Sequence, residues 1–556
     1  MKMQKSRLRP LPLRNALLSA AVALGVVACG QESTQAPTST ATPTAMTSAF
    51  SDQAALGAGK FAANCAACHG VNLEGTTLGP LLSGRPFLQR WGDRTPSLLF
   101  SNIKANMPPG GNEGISDADY LAITAHILDT NGVDAITAAL TASTDFTIAD
   151  NASELVANRQ RSEPPAPEGI TVAGNVDDYS PFVPVTDAML EAPDPADWPM
   201  IRRSYDAHSF SPLDQINTAN VDSLSLEWVW NMHEGDSEPS PLVYKGIIYL
   251  INPGNVIQAL DGKTGELIWE NWAGPANRQD MRNIAIYNDK IIQATTDARL
   301  IALDARTGEQ VWETAVADNT QGFENSSGPI VADGRVILGL AGCARYIKDD
   351  CYISAHDANT GELAWRFNTI AKANEPGGDT WGELDDIFRA GGETWITGSY
   401  DPDLKLTYWG TAQQKPWVPV SRHLTINDEG LFTNSTVAIN TDDGTLNWHF
   451  QHVPAEALDL DEVFERVLVN RGGEKLVFSL GKYGILWKSD RVTGEFKGYK
   501  ETVFQNAFTD IDAVTGRVTY REDIQNAKLN EWTSACPSSA GGKDWHSMTY
   551  HEPSGL

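Results

Sequence analysis

At 556 residues the chain exceeds what one hydrophobic core supports, so at least two domains are expected. Its 42 Lys and Arg against 71 Asp and Glu give a formal charge of -29, which argues against nucleic-acid binding and against charge-driven attachment to anionic membranes, because both need a basic surface. Six cysteines are too few for a disulfide scaffold of this size, while 47 glycines and 16 tryptophans suit many tight turns and stacked aromatics.

Residues 1–29 carry Lys2, Lys5, Arg7, Arg9 and Arg14 and then the apolar run Ala16 to Ala28. That run is short for a bilayer span and has the shape of a signal peptide. Its end, Val26-Val27-Ala28-Cys29, resembles a bacterial lipobox. The resemblance implies diacylation of Cys29, a lipid anchor and a periplasm-facing protein; Gly30 rather than Asp after the cysteine favours the outer membrane. The alternative is an ordinary signal peptide with an incidental cysteine. Residues 30–50, rich in Ser, Thr, Ala and Pro without periodicity, predict a flexible tether.

Within 51–133 stands Cys65-Ala66-Ala67-Cys68-His69. Two thiols three apart can each add to a haem vinyl group, and the next residue's imidazole can then ligate the iron from the same side. A bare Cys-x-x-Cys could instead be redox-active or bind zinc, but the adjoining histidine favours haem and no second cysteine pair completes a zinc site. The segment resembles a small all-α class I cytochrome c domain. By that resemblance Met107, 38 residues past His69 in Asn106-Met107-Pro108-Pro109-Gly110, is the distal iron ligand of a covalent haem c. Ser116-Asp117-Ala118-Asp119 predicts a capped helix through Leu128, ended by Asn131-Gly132.

Residues 134–196 lack a strong period and are expected to be a linker and approach segment. From Asp197 a pattern sets in and is written six times. Ala, Asp, Thr-Gly and Trp recur with one spacing at Ala259 to Trp269, Ala302 to Trp312 and Ala355 to Trp365, and more loosely from Ala438, Asp490 and Asp512. Each copy is an apolar strand, a tight turn whose glycine takes positive φ, and a second strand that starts near a large aromatic. Antiparallel repeats with a period of roughly 40 to 50 residues stack radially, so 197–556 is expected to be an all-β propeller. Cys343 and Cys351, eight apart between two apolar strands of one blade, are expected to form a disulfide in an oxidising compartment.

Ser209 to Asn217 and Leu226-Glu227-Trp228 resemble the opening blade of the quinoprotein alcohol dehydrogenases, the pyrroloquinoline quinone (PQQ) propellers related to methanol dehydrogenase. The resemblance runs from about 197 to 556. It implies an eight-bladed propeller and, because the last residues enter a strand and Cys536 resembles a cysteine that pairs with one further on, a chain that is incomplete at its C-terminus. The cytochrome precedes the propeller, as in polyvinyl alcohol dehydrogenase-like proteins.

PQQ is a planar, tri-anionic quinone, so its site needs a flat apolar platform, cations for its carboxylates and hydrogen bonds to its carbonyls. The resemblance makes Trp381, in Gly377-Gly378-Asp379-Thr380-Trp381-Gly382, the platform. It makes Arg282 and Lys482 cations that reach the quinone, and Ser326, Asp544 and Trp545 further contacts. The catalytic base falls on Glu429, or with a one-residue shift on Asp428. The paired cysteines that commonly cover the quinone have no match in Ala276-Asn277-Arg278-Gln279-Asp280. The usual Ca2+ ligands also depart: no Glu stands near Cys343-Ala344-Arg345, and Thr394 replaces an Asn, with Glu393, Asp349 and Asp350 the nearest other oxygen donors.

Together these features imply a quinohaemoprotein dehydrogenase. PQQ, with or without Ca2+, takes two electrons from a small-molecule or polymeric alcohol, and the fused haem passes them singly to an acceptor such as a soluble cytochrome or oxidase. The alternative is a non-enzymatic propeller scaffold or sensor lipoprotein with an electron-relay haem, which the missing metal ligands favour.

Overall fold

The computed structural model describes residues 48–75, 81–92, 94–108, 114–133, 136–152, 169–233, 238–274, 281–343, 350–529 and 531–556. Cys29 and the rest of 1–47, the stretch 276–280, and 344–349 with Arg345 and Asp349 lie outside the described residues.

The N-terminal part is helical. Its helices are α1 (Ala49–Asn64), α2 (Ala66–His69), α3 (Gly84–Trp91), α4 (Pro96–Asn106) and α5 (Asp117–Thr130). Each long helix starts where the sequence supplies a cap. The Ser48 hydroxyl accepts from Ser51 N, Thr95 accepts from Leu98 N ahead of Pro96, and Ser116 and Asp119 close a reciprocal capping box. α1 and α5 cross at Gly57, where a Cβ would lie 1.8 Å from the Ala122 carbonyl oxygen. Only glycine lets the two backbones approach so closely, and the contact brings Phe50, Phe61, Tyr120, Ile123 and Leu128 into one buried core.

The rest is antiparallel sheet. The first comprises β2 (Leu242–Tyr244), β3 (Ile247–Asn252), β4 (Val256–Asp261) and β5 (Leu267–Trp272), paired in sequence order. Four-stranded meanders follow within 285–315, 330–368, 399–451 and 467–501, and a two-stranded ribbon within 508–520. In each repeated hairpin the register slips one residue past the small residue before the turn, as at Ala259/Leu260, Ala302/Leu303 and Ala355/His356. The turn's aspartate drives this: Asp304 Oδ1 accepts from the amides of Arg306 and Thr307, and Asp261 and Asp357 bond their own turns alike.

The repeat also encodes how blades dock. Gly308, Gly361, Gly444 and Gly494 each sit on the tryptophan ring of the preceding blade: Trp269, Trp312, Trp365 and Trp448. At Gly361, with φ of 76°, an added Cβ would stand 2.7 Å from the Trp312 ring. Trp269, Trp365 and Trp448 donate their indole N–H to a carbonyl of the next turn, at 3.2, 2.9 and 3.1 Å. The same short motif therefore sets the turn and the contact between blades.

The approach segment is more than a linker. Its strand β1 (Gly169–Val172) adds a fifth strand to the first sheet, with Gly169 opposite Trp272 and Val172 opposite Trp269. Asp187 then accepts from the Tyr287 and Tyr205 hydroxyls and from Asp333 N, at 2.7, 3.1 and 2.9 Å, stitching the segment to the blades. Cys343 and Cys351 are joined in a disulfide, Cα to Cα 5.5 Å.

Candidate active site

α1 ends at Asn64 and the chain turns at once into α2, a single turn that buries His69 and leaves Cys65 and Cys68 half-buried. Burial first, and the neighbouring Cys68 second, pushes the Cys65 thiol up to about 11. Met107 caps α4, and its carbonyl accepts the Tyr120 hydroxyl at 2.6 Å, tying it to α5. All four residues line one cavity of about 460 Å3, otherwise walled by Phe61, Phe87, Trp91, Leu99, Ile103, Ile123 and Ile127. Size, apolar walls and two thiols beside a histidine fit a covalently held haem, with His69 and Met107 available to the iron.

The haem domain adds polar residues to the wall, Arg90 and Arg94 among them, and the propeller contributes Lys415, Pro416 and Trp417. Behind that loop the segments joining the blades deliver a dense set of charges. The Arg282 guanidinium lies 5.0 Å and the Lys482 ammonium 5.9 Å from the centre of the Trp395 ring. Arg282 pairs with Glu238 at 2.6 Å and Lys482 with buried Asp461 at 2.9 Å. Burial works against the charge on Lys482, but Asp461 foremost, then Asp459 and Asp544, outweigh it and hold its pKa above the ordinary lysine value. Burial and the Asp461 charge push Asp459 up to about 6. Asp461 Oδ1 is buried and accepts no hydrogen bond from any described residue. Two cations on one aromatic wall fit the chemistry of a planar, anionic cofactor.

The other residues singled out in the sequence are placed as follows. Trp381 is fully buried, its indole N–H donating to the Leu431 carbonyl at 2.7 Å, so its ring belongs to the core and the half-buried Trp395 is the aromatic that Arg282 and Lys482 share. Ser326 is buried next to Asn325, which ties to Gly339 O. Asp544 acts on Lys482 through its charge, whereas Trp545 stacks on His546, 4.1 Å between ring centres, and is over a third exposed. Asp428 caps its own turn, accepting from Thr425 N and Oγ1 at 2.7 Å each. Glu429 pairs with Arg517 at 2.7 Å and opens on a cleft of about 320 Å3 lined by Leu431, His449, Gln451, Pro454 and Thr515. Neither Lys482 nor Trp395 lines that cleft; Leu431 does, and its carbonyl accepts the Trp381 indole N–H.

Among the described residues the metal positions do not present a cation's oxygen shell. Thr394 Oγ1 accepts from Leu340 N at 3.0 Å, Glu393 Oε1 accepts from Gly342 N and Cys343 N, and Glu393 Oε2 holds the Lys415 ammonium. Asp350 pairs with Lys372 at 3.1 Å. No group of three or more His, Cys, Asp or Glu side chains converges as a metal site among the described residues, whereas Ca2+ takes six to eight oxygens.

Sequence reasoning missed Trp395, Asp461 and the Glu393–Lys415 pair. Trp395 carried a usable signal, because like Trp381 it stands outside the Thr-Gly-x-x-x-Trp register. The two ion pairs join residues 21 and 22 apart across irregular loops and leave no local pattern.

Residues 198–496 match the PQQ family described as glucose/ethanol/alcohol dehydrogenase, beta-propeller domain, and residues 52–127 match the cytochrome family described as cytochrome c oxidase, cbb3-type, subunit III. The chain is 32% identical over 391 residues to the quinohemoprotein alcohol dehydrogenase ADH-IIG of Pseudomonas putida, covering 65% of this chain and 54% of that protein. Among solved structures, ADHIIG from Pseudomonas putida HK5 superposes with a TM-score of 0.61 at 30% identity, over 67% of this chain and 58% of that one. A europium-containing methanol dehydrogenase gives 0.59 at 27% identity, over 66% and 69%. The chain spans about half the length of the curated relatives it matches. Six Asp-Thr-Gly-type turns seated on the preceding blade's aromatic, the charge cluster around Trp395 and a family match over more than half of its residues agree: the chain belongs to the PQQ family of alcohol dehydrogenase β-propellers, here joined to a cytochrome c domain.

Proposed function

We propose that the protein is a quinohaemoprotein dehydrogenase that oxidises an alcohol-like substrate at the propeller and delivers the electrons to the haem of its own N-terminal domain. The observation that carries this reading is the shared residue Lys415, which lines the haem cavity while its ammonium rests on Glu393 inside the charge cluster. PQQ, when bound, supplies the two-electron acceptor. Arg282 and Lys482 bind and orient it through its negative charge, Asp461 fixes Lys482, and Trp395 is the aromatic wall. Glu429, which opens on the cleft beside Leu431, is the proposed acceptor of the substrate hydroxyl proton. The relatives' names support an alcohol substrate, small or polymeric. The Cys29 lipobox and the signal-like first 29 residues support a lipid-anchored protein facing the periplasm, with a separate cytochrome or oxidase as the next electron acceptor. A second reading, an electron-relay scaffold without turnover, draws support from the buried Trp381 and from the metal positions that hold no cation shell.

Dye-linked turnover of the PQQ-loaded protein, screened over several alcohols, distinguishes the two. Glu429→Gln is expected to lower turnover 100- to 10,000-fold, the usual contribution of a general base, while Asp428→Asn, in a surface turn, changes it little. Parental rates in both variants would remove Glu429 from the chemistry, and no PQQ-dependent turnover in the parent would leave the relay reading.

A further inference from the structure

Lys415 is held from several sides. Its backbone N–H donates to Ala390 O at 3.0 Å, and its ammonium pairs with Glu393, a residue only 6% exposed whose other oxygen accepts from Gly342 N at 3.1 Å and Cys343 N at 3.3 Å. Two residues earlier, Gln413 Nε2 donates to Asp459 Oδ1 at 2.6 Å, so the same loop is bound to the Asp459–Asp461 segment, whose Asp461 pairs with Lys482. Burial disfavours the charge on Lys415, but Glu393 foremost and then Asp461 and Asp459 outweigh it. The ammonium is therefore a fixed positive charge at the boundary between two sites. Arg90 and Arg94 line the same cavity from the haem domain, and helix α3, which carries Arg90, packs on the propeller turn Asn319–Gln321. In a chain of net charge -29, three cations therefore line one cavity.

A positive charge beside a haem favours the ferrous over the ferric state, because the ferric site carries one more positive charge and repels it; with the Lys415 side chain 36% exposed, solvent weakens the effect without removing it. We infer that Lys415, positioned by Glu393, is the residue through which the propeller sets the redox potential of the haem, keeping it high enough to draw electrons from the quinone site. The inference rests on the reading of the cavity as a haem site and of the haem as the internal electron acceptor. Lys415 acts as a positioning and tuning residue and makes no bond that the reaction breaks. It also means that the cation standing at Glu393, where the propeller's metal positions fail, is the protein's own ammonium.

The test is a spectroscopic redox titration of the full-length, haem-bearing protein without PQQ. Lys415→Met is expected to shift the haem equilibrium toward ferric about tenfold, which for one electron is about 59 mV downward. Glu393→Gln, which removes a negative charge and leaves the ammonium, is expected to move it upward. Lys415→Arg should stay near the parent, as should Lys475→Met, whose partner is the exposed Asp403. A packing defect would move Lys415→Met and Glu393→Gln in the same direction, and that result, or no shift in either, overturns the inference. Where Lys415→Met does not fold, Glu393→Gln decides alone: an upward shift supports the inference, and none contradicts it. The titration uses no alcohol, so opposite shifts together with an inactive parent would sink the dehydrogenase reading and leave the tuning role standing.

Discussion

Changing Cys65 and Cys68 together to serine is expected to abolish covalent haem, so that acid and organic solvent extract all the haem the variant binds and none from the parent. The two thiols stand on one helical turn at the wall of the cavity, with buried His69 next to them and Met107 on the same cavity. Among the described residues no other cysteine lines it, so the loss is expected to be complete. Met107→Ala is a milder change with a sharper readout. It leaves both thioethers but removes the sulfur, and the weak long-wavelength charge-transfer band of a methionine-ligated ferric haem should vanish while the Soret band remains. Persistence of that band in Met107→Ala would reassign the sixth ligand. Extractable haem in the parent would show that the cysteines are not its attachment points.

The second large effect is expected at Lys482. Its ammonium and Asp461 form a buried pair at 2.9 Å, and Asp461 already carries one oxygen with no hydrogen bond from a described residue. Removing one partner of such a pair costs about 3–5 kcal/mol, because the other charge is left desolvated. Lys482→Met should therefore lower the midpoint of thermal unfolding and also abolish binding of the anionic quinone. Lys482→Met combined with Asp461→Asn separates the two consequences: it should recover much of the stability, since no charge is stranded, and recover none of the PQQ binding followed by tryptophan fluorescence. If the double variant binds PQQ like the parent, Lys482 is a structural cation and the cofactor lies elsewhere.

What could be read from the sequence is what local chemistry and spacing write down together. The Asp-x-x-Thr-Gly turns are legible because aspartate bonds its own turn and glycine supplies the positive φ. Their stacking is legible because the tryptophan four residues later is the seat for the next glycine, as Trp312 is for Gly361. The haem site was equally open, since Cys65, Cys68 and His69 lie within five residues and Met107 ends a capped helix. The strand Gly169–Val172 was hidden: its partner, ending at Trp272, lies about a hundred residues on, and four residues with a leading glycine show no usable alternation. The proposed aromatic wall was not legible for a different reason. Trp381 and Trp395 both stand outside the repeat, and only packing shows that Trp381 is sealed into the core by Leu431 while Trp395 receives both cations. Lys415 was invisible because its meaning depends on three segments, at Glu393, at Asp459 and on the haem domain, that meet only in the folded chain.

Whether the two domains form one electron path is measured most directly by anaerobic addition of a primary alcohol to the oxidised, PQQ-loaded, haem-bearing protein with no other acceptor present, followed at the haem α-band. The haem is expected to become reduced only when both PQQ and alcohol are present, at a rate that does not change on tenfold dilution, because on this account the donor and acceptor share one chain and Lys415 lines the haem cavity while pairing with Glu393. A haem that stays oxidised while an added dye is reduced, or a rate that falls in proportion to protein concentration, would contradict it.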